Sequence, residues 1–163
     1  DPVLFMEHKG LYRQGYAATD EPDSNYIIPF GKGRMISSGK DLTLITWGAM
    51  VQKSVEAVQD LGLDINIVEI IDLRTLNPID FDILSISIQK TGKVLIVHED
   101  NLTNGPGAEI SAIISEKFFE YLDGPVKRVA AKDSPIPFNW IIEEKILPQT
   151  KDISNAIEEL LEY

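Results

Sequence analysis

Cysteine is absent from the 163 residues, which excludes disulfides, thiolate metal sites and a cysteine nucleophile. No apolar run approaches the roughly 20 residues that a membrane-spanning helix needs. No secretory signal is visible, and the chain opens with Asp1 and Pro2 rather than methionine. We therefore expect it to be a piece of a longer protein.

Basic residues are also scarce. Lysine and arginine number 15 against 26 aspartates and glutamates, which leaves a formal net charge of −11. Such a surface repels polyanions, so the charge argues against nucleic acid and a membrane surface as partners. It favours a basic protein partner, although solubility alone is a sufficient explanation for it.

The remaining composition suits a globular protein of one domain, because 44% of the residues are hydrophobic and 25% are charged. Strand and helix patterns alternate along the chain after a polar opening of about 30 residues. Alternation of this kind predicts the α/β class: a three-layer α/β/α sandwich with a mostly parallel sheet of about five strands and one antiparallel strand. The predicted strands cover residues 33–37, 42–47, 65–71, 93–97 and 126–131, with a further short strand at 3–6.

Turn and capping signals refine this prediction. Residues 33–37 and 42–47 flank a turn that contains Gly39, which predicts a hairpin with the first strand antiparallel to the second. Helical spacing covers residues 51–61, 110–121 and 153–161. Residues 80–90 fit either a strand or a helix. We favour a helix capped by Asp80, because a crossover between parallel strands requires one.

The stretch 93–110 is the clearest candidate for a site, since a buried strand is followed there by His98, Glu99 and Asp100, a Gly-Pro-Gly turn and a helix. The turn fits either an anion site at a helix start or a purely structural connection. We favour the structural connection with Asn104 as the helix cap, because nearby carboxylates oppose a phosphate and proline removes a donor. For His98, a metal ligand and a general base are conceivable, but a buried or interfacial hydrogen-bonding residue is favoured.

Two other segments carry candidates. Arg74 follows the strand at 65–71 and could bind a carboxylate or phosphate, although we favour an ion pair with Asp72, with Glu69 or with a neighbouring subunit. The loop at 134–140 is irregular because two prolines forbid a central strand. Its aromatic residues are consistent with a binding patch or with packing on their own domain.

Four short motifs, in this order along the chain, resemble one family. They lie at residues 42–48, 71–78, 98–109 and 133–137. Together they resemble the C-terminal domain of the β subunit of the decarboxylating component of 2-oxoacid dehydrogenases, of the pyruvate and branched-chain type, within the transketolase C-terminal domain superfamily. Residues 5–13 resemble the end of that subunit's pyrimidine-binding domain. One departure is Asn-Gly-Pro-Gly at 104–107, where the family usually has Gly-Gly-Phe-Gly, so the turn should be stiffer and lack an aromatic contact.

The resemblance implies that residues 1–30 are the tail of a preceding pyrimidine-binding domain and a linker, and that residues 31–163 are a transketolase C-terminal-like domain. It implies a parent enzyme that uses thiamine diphosphate and Mg²⁺ for oxidative decarboxylation of a 2-oxoacid and acyl transfer to a lipoyl group. In the family these groups are bound by other domains. No catalytic, cofactor-binding or metal-binding residue is therefore expected in this chain, which should be inactive alone and serve assembly and docking.

The expected partners are an α subunit or α-like domain, a second β subunit and the lipoyl acyltransferase core, in the cytoplasm or the mitochondrial matrix. Alternatives are a free-standing α/β module for a small anionic metabolite, and the same domain of a deoxyxylulose-phosphate synthase or transketolase relative. The candidate subunit-interface residues are Arg74, His98, Glu99, Asp100, Asn104, Gly105, Gly107, Glu109, Pro135, Pro137 and Phe138.

Overall fold

One sheet of five strands forms the centre of the computed structural model, which describes residues 2–64 and 66–163. The strands lie in the order β1-β3-β2-β4-β5, and only the β1–β3 pair is antiparallel. This confirms the predicted mostly parallel sheet with one antiparallel strand. The strands are β1 (Arg34–Ser37), β2 (Leu42–Thr46), β3 (Val68–Asp72), β4 (Val94–Asn101) and β5 (Lys127–Ala131).

Helices cover both faces of the sheet and confirm the predicted three layers. They are α1 (Met50–Asp60), α2 (Phe81–Thr91), α3 (Pro106–Lys117), α4 (Trp140–Ile146) and α5 (Thr150–Leu161). On one face α1 and α5 pack on the strands, and on the other face α2 and α3 do. None of the helices in the described part of the chain is long and apolar enough to cross a membrane.

Alternation along each strand separates the two cores. In β2, Leu42 and Leu44 pack in the core under α1 and α5, whereas Ile45 packs in the core under α2 and α3. Successive side chains of a strand point to opposite faces, so a strand that is covered on both sides must be apolar throughout. Leu42, Leu44 and Ile45 are all fully buried, as this arrangement requires.

The helix over residues 80–90, which the pattern left ambiguous, is confirmed as α2. Asp80 caps it by accepting a hydrogen bond from the backbone N–H of Ile83. Gly92 ends the helix in the left-handed conformation with φ of 66°. Both ends therefore have the sequence signals expected of helix termini.

The predicted hairpin between the first two strands is wrong. β1 pairs with β3 instead of β2, with Arg34 opposite Asp72. The connection crosses the start of β3, because the backbone N–H of Lys40 donates to the carbonyl oxygen of Asn66 at 2.9 Å. Gly39 lies against the β3 backbone so closely that a Cβ there would meet the atoms of Glu69 well inside 3.0 Å. The turn therefore passes over β3 and leaves it between β1 and β2.

Four smaller predictions are also corrected. Residues 3–6 are exposed and form no strand. The strand predicted from residue 65 begins at Val68, and Ile65 itself lies outside the described residues. β4 continues to Asn101, so the polar residues after the apolar run belong to the strand. The cap of α3 is Gly105, while Asn104 has φ of 62° in the turn before it.

The described part of the opening segment, residues 2–33, has two short 3₁₀ helices and few buried side chains. Its exposed apolar residues are Val3, Leu4, Phe5, Met6, Tyr12, Tyr16, Tyr26, Ile27, Ile28 and Phe30. Exposed apolar surface of this extent is unusual for a free surface and indicates an interaction site. The division of the chain at residue 30 stays a prediction.

Candidate functional site

The candidate site lies where β2 and β4 end side by side. The helix after β2, α1, packs on one face of the sheet, and the helix after β4, α3, packs on the other. The chain thus leaves two neighbouring parallel strands in opposite directions, which opens a crevice at their carboxyl ends. Open α/β sheets usually bind ligands at this position, so the side chains that lie in the crevice decide whether it can bind one.

His98 fills the base of the crevice. Its side chain is fully buried and stacks on Trp47, with ring centroids 5.3 Å apart and an angle of 7° between the planes. Trp47 follows β2 directly and His98 lies in β4, so the two rings meet because their strands are neighbours. The predicted burial of His98 is confirmed, and the partner of its ring is an aromatic face.

The Gly-Pro-Gly turn closes over the imidazole. A Cβ at Gly107 would lie well inside 3.0 Å of His98 Nε2, and one at Gly105 would lie 2.9 Å from His98 Cε1. Both glycines are buried. They are therefore needed for the close approach of the turn to the ring, and α3 can begin directly above His98.

This arrangement does not fit a phosphate or diphosphate. The imidazole fills the space beside the two glycines, Pro106 supplies no N–H, and Glu109 adds a negative charge in the first turn of α3. Residues 2–64 and 66–163 also bring together no group of three histidines or carboxylates that could hold a metal ion. The geometry favours the structural connection over the anion site.

Neither ring nitrogen of His98 has a hydrogen-bond partner among the described residues. The hydrogen-bonding role predicted for this residue therefore finds no partner within the described chain. Burial lowers the pKa of His98 below its ordinary value; the charge of Asp100 opposes the shift and that of Arg128 adds to it. The imidazole is consequently neutral at pH 7.

We expect this neutral histidine to make stability depend on pH in one direction. The unfolded chain takes up the proton near pH 6.5, whereas the folded chain takes it up only at lower pH. The contribution of neutral His98 to the free energy of unfolding should therefore be fully present above about pH 6.5 and should be lost as the pH drops below that value. Urea unfolding between pH 5.5 and 7.5 measures this slope, which should flatten in His98→Gln. A matched control is His8→Gln, and an unchanged slope in His98→Gln would contradict the prediction.

A second histidine reaches the same crevice from the opening segment. His8 Nε2 lies 2.9 Å from Glu99 Oε2, and a Cβ at Gly48 would lie 4.0 Å from the His8 ring. This contact fastens the opening segment to the ends of β2 and β4. Sequence reasoning placed His8 in a linker and missed it. The mixed polar and aromatic composition around His8 was the available signal, but no spacing links it to Glu99, 91 residues away.

Arg74 is exposed in the left-handed conformation with φ of 55°. Its backbone N–H donates to Asp72 Oδ1 at 3.0 Å, and its guanidinium forms no ion pair within 4.0 Å in the described chain. Glu69 pairs with Lys90 instead. The favoured ion pair with Asp72 or Glu69 is therefore replaced by a backbone hydrogen bond, and a pair with a neighbouring subunit stays a prediction.

The remaining interface candidates differ in exposure. Those at the surface are Asp100, Asn104, Glu109, Pro135 and Phe138; Glu99 and Pro137 are half-buried, whereas His98, Gly105 and Gly107 are buried. The buried three can affect a contact only by shaping the turn above them. The interface role of the whole set stays a prediction.

The proline loop after β5 is tied to the turn before α3. Asp133 accepts hydrogen bonds from the backbone N–H and the hydroxyl of Thr103, at 2.9 and 2.6 Å. These bonds lower the pKa of Asp133. They hold the loop beside the crevice. The adjoining side chains of Phe138 and Trp140 are exposed, at 106% and 66% of their reference areas, so the loop does not bury its aromatic residues on its own domain.

Comparison with known proteins gives a consistent result. The family model described as "Transketolase, C-terminal domain" matches residues 31–153. The pyruvate dehydrogenase E1 component subunit beta of Staphylococcus epidermidis is 41% identical over all 163 residues, and that of Staphylococcus aureus is 40% identical over the same span. In each case the chain covers 49% of the relative, so it spans about half the length of these relatives.

Two solved structures share the fold. A split-gene transketolase, described as an inactive beta4 tetramer, superposes with a TM-score of 0.71 and 26% identity over 86% of this chain and 44% of its own. The 2-oxoglutarate:ferredoxin oxidoreductase from Magnetococcus marinus has a TM-score of 0.52 and 16% identity over 80% of this chain and 19% of its own. At that identity the second likeness concerns the fold alone.

Proposed function

Because this chain belongs to the family of transketolase C-terminal domains, we propose that it is the assembly domain of a 2-oxoacid dehydrogenase, within a β-type decarboxylating subunit. The observation that carries the proposal is the 41% identity to a pyruvate dehydrogenase E1 β subunit along the whole chain. The identity is 41% to this β subunit and 26% to the split-gene transketolase, which favours the dehydrogenase branch over a transketolase relative.

The parent reaction that we propose is oxidative decarboxylation of a 2-oxoacid, with transfer of the acyl group to a lipoyl group. Thiamine diphosphate with Mg²⁺ supplies the chemistry in such a parent. We place both on other domains, because the Gly-Pro-Gly turn does not fit a diphosphate and is filled by His98. The residues of this chain would act by positioning and by subunit contact, with none in contact with the reacting atoms.

The exposed apolar surface supports an assembly role. Leu4, Met6 and Phe138 expose 90%, 87% and 106% of their reference areas, and the loop and α4 add Trp140 and Ile141. Large aromatic and aliphatic side chains at this exposure are typical of surfaces that a partner covers. We propose that an α-type subunit and a second β-type subunit cover them.

Phe138→Ser should weaken this assembly by about tenfold or more, since buried aromatic anchors commonly carry over 1.4 kcal/mol of binding free energy. Sedimentation of the β-type parent subunit mixed with its α-type partner measures the dissociation constant. The matched control is Ile86→Ser, which changes an equally apolar side chain on α2 that is 70% exposed. Equal effects of the two substitutions would contradict a specific interface at the loop.

The proposal that other domains bind the cofactor can be tested separately. We expect the isolated chain to show no thiamine diphosphate binding by titration calorimetry and no 2-oxoacid-dependent release of carbon dioxide. The assembled parent should show both. Micromolar binding by the isolated chain would overturn the placement of the cofactor, and an assembled parent without decarboxylation would overturn the enzymatic assignment.

We also propose that the acyltransferase core docks on the acidic surface of this chain through a basic domain. The net charge of −11 supports this choice, because opposite charge speeds association and fixes orientation. Docking of this kind should weaken as the salt concentration rises. Binding that does not change as the salt concentration rises from about 50 to 500 mM would argue against it.

A further inference from the structure

A cleft of about 570 Å³ lies at the edge of the sheet opposite to β1, between β5 and the connection from α4 to α5. Apolar residues form much of its wall, namely Leu102, Val129, Ile146, Leu147 and Pro148. The crevice around His98 shares none of these residues. The cleft is therefore a separate feature of the molecule, and the proposed function gives it no role.

β5 is the last strand of the sheet, so one of its edges has no neighbouring strand. The carbonyl oxygen of Ala131 faces β4, since it accepts from the N–H of Leu102 at 2.9 Å. Alternation along the strand then directs the backbone groups of Arg128 and Ala130 to the open edge. α4 covers that edge at Lys132, whose N–H donates to the carbonyl oxygen of Ile146 at 3.1 Å. Arg128 and Ala130 both line the cleft.

The cleft is lined mainly by basic side chains, whereas the chain as a whole is acidic. Arg128, Lys132, Lys145 and Lys151 line it, against two carboxylates. The three lysines have no carboxylate within 4.0 Å in the described ranges.

One of the two carboxylates is already engaged. Asp152 accepts the backbone N–H of Gln149 at 2.9 Å as part of a capping box at the start of α5. Behind the cleft, Lys53 Nζ donates to the carbonyl oxygen of Pro148 at 2.8 Å and adds a further positive charge. A net positive cleft on a chain of charge −11 indicates an anionic partner.

We propose that this cleft binds an extended acidic segment of another polypeptide, which adds a strand to the free edge of β5. Its backbone would pair with Arg128 and Ala130, its apolar side chains would face the wall of the cleft, and its carboxylates would face the lysines. An inorganic anion would gain nothing from the apolar wall. A nucleic acid would be repelled by the remaining surface of this acidic chain.

The test uses the full chain and a fluorescein-labelled peptide that alternates glutamate with valine or isoleucine. We expect saturable binding by fluorescence anisotropy, while a peptide with lysine in place of glutamate should not bind. Lys145→Glu combined with Lys151→Glu should weaken binding by about tenfold or more, because two attractive charges become repulsive. Lys40→Glu, at the turn before β2, is the matched control and should leave it unchanged. Equal binding of the two peptides would overturn the proposal.

Ala130→Pro separates strand pairing from simple charge attraction. It removes one N–H from the open edge and leaves every charge in place, and proline is tolerated in edge strands. We expect this variant to keep its melting temperature within a few degrees and to lose about fivefold or more in peptide affinity, the loss of roughly one hydrogen bond. Unchanged affinity, together with displacement of the peptide by millimolar phosphate, would show a small-anion site and overturn the proposal.

Discussion

Gly107→Ala should destabilise the chain by about 3 kcal/mol, at the upper end of the cost of overpacking. The new methyl group would lie well inside 3.0 Å of His98 Nε2 and Cδ2. The imidazole cannot swing away, because it is fully buried and stacked on Trp47. Alanine is a better helix former than glycine by about 1 kcal/mol, so helix propensity cannot cause a loss of stability. A loss would therefore come from the contact between the new methyl group and His98. Urea unfolding of the full chain measures it.

A double-mutant cycle tests the cause. His98→Ser removes the ring that the methyl group meets, so the combined variant should be about 2 kcal/mol more stable than the two separate losses predict. Gly105→Ala should not be rescued in this way, because its Cβ would also meet the backbone carbonyl oxygen of Asn101. Gly15→Ala is the neutral control, as nothing lies within 4 Å of its Cβ. Additivity of Gly107→Ala and His98→Ser would refute the argument.

Glu69→Ala should cost about 3 kcal/mol, because it leaves the buried backbone N–H of Gly39 without a partner and a cavity behind. Glu69 lies in β3, and its side chain is 1% exposed. It accepts the backbone N–H of Gly39 at 3.2 Å and pairs with Lys90. Burial acts to raise the pKa of Glu69, but the hydrogen bonds from Lys90 and Gly39 and the charge of Lys90 act against it, and the pKa lies below its ordinary value.

The lowered pKa of Glu69 determines how acid changes the stability of the fold. Because the folded pKa lies below the unfolded value, the carboxylate stabilises the fold above about pH 4.5 and loses that contribution as the pH falls through the folded pKa. Glu69→Gln keeps an acceptor for Gly39 and should cost less, about 1–2 kcal/mol, while flattening the acid side of the stability curve. Glu116→Ala, an exposed residue on α3, serves as the control. A loss in Glu69→Ala no larger than in the control would contradict the prediction.

Removing either partner of the Glu69–Lys90 pair leaves the other in a different environment. Lys90 is 40% exposed, so water replaces its partner when Glu69 is removed, and the converse is not true of the buried carboxylate. The turn at Gly39 depends on Glu69 because the buried backbone N–H of Gly39 donates to this carboxylate. That turn is also the point at which the hairpin prediction failed, since it carries the chain across β3 and away from β2.

Local signals were sufficient for most of the elements. The apolar runs of β2, β3 and β4 have the composition of strands covered on both faces, and Asp80 with Gly92 marks the two ends of α2. Such signals act over a few residues, so a sequence displays them directly. α4 was not predicted, because it is only seven residues long and follows two prolines that indicate irregular structure.

The candidate site was only partly predictable, because its contacts join distant parts of the chain. Burial of His98 follows from the apolar run that precedes it, but stacking on Trp47 requires β2 and β4 to be neighbours. Glu99 follows His98 directly in the sequence, but its partner, His8, is 91 residues away in a segment without a regular pattern. No spacing rule connects such pairs.

The sequence by itself therefore determined the α/β class, the three layers, the number of strands and the family, because these depend on periodicity and on short motifs in a set order. Only the tertiary structure decided which strand lies beside β1, how the glycines of the turn enclose His98, and how His8 reaches Glu99. These features depend on close packing between residues far apart in the chain, where a single methyl group or carboxylate selects one arrangement over another.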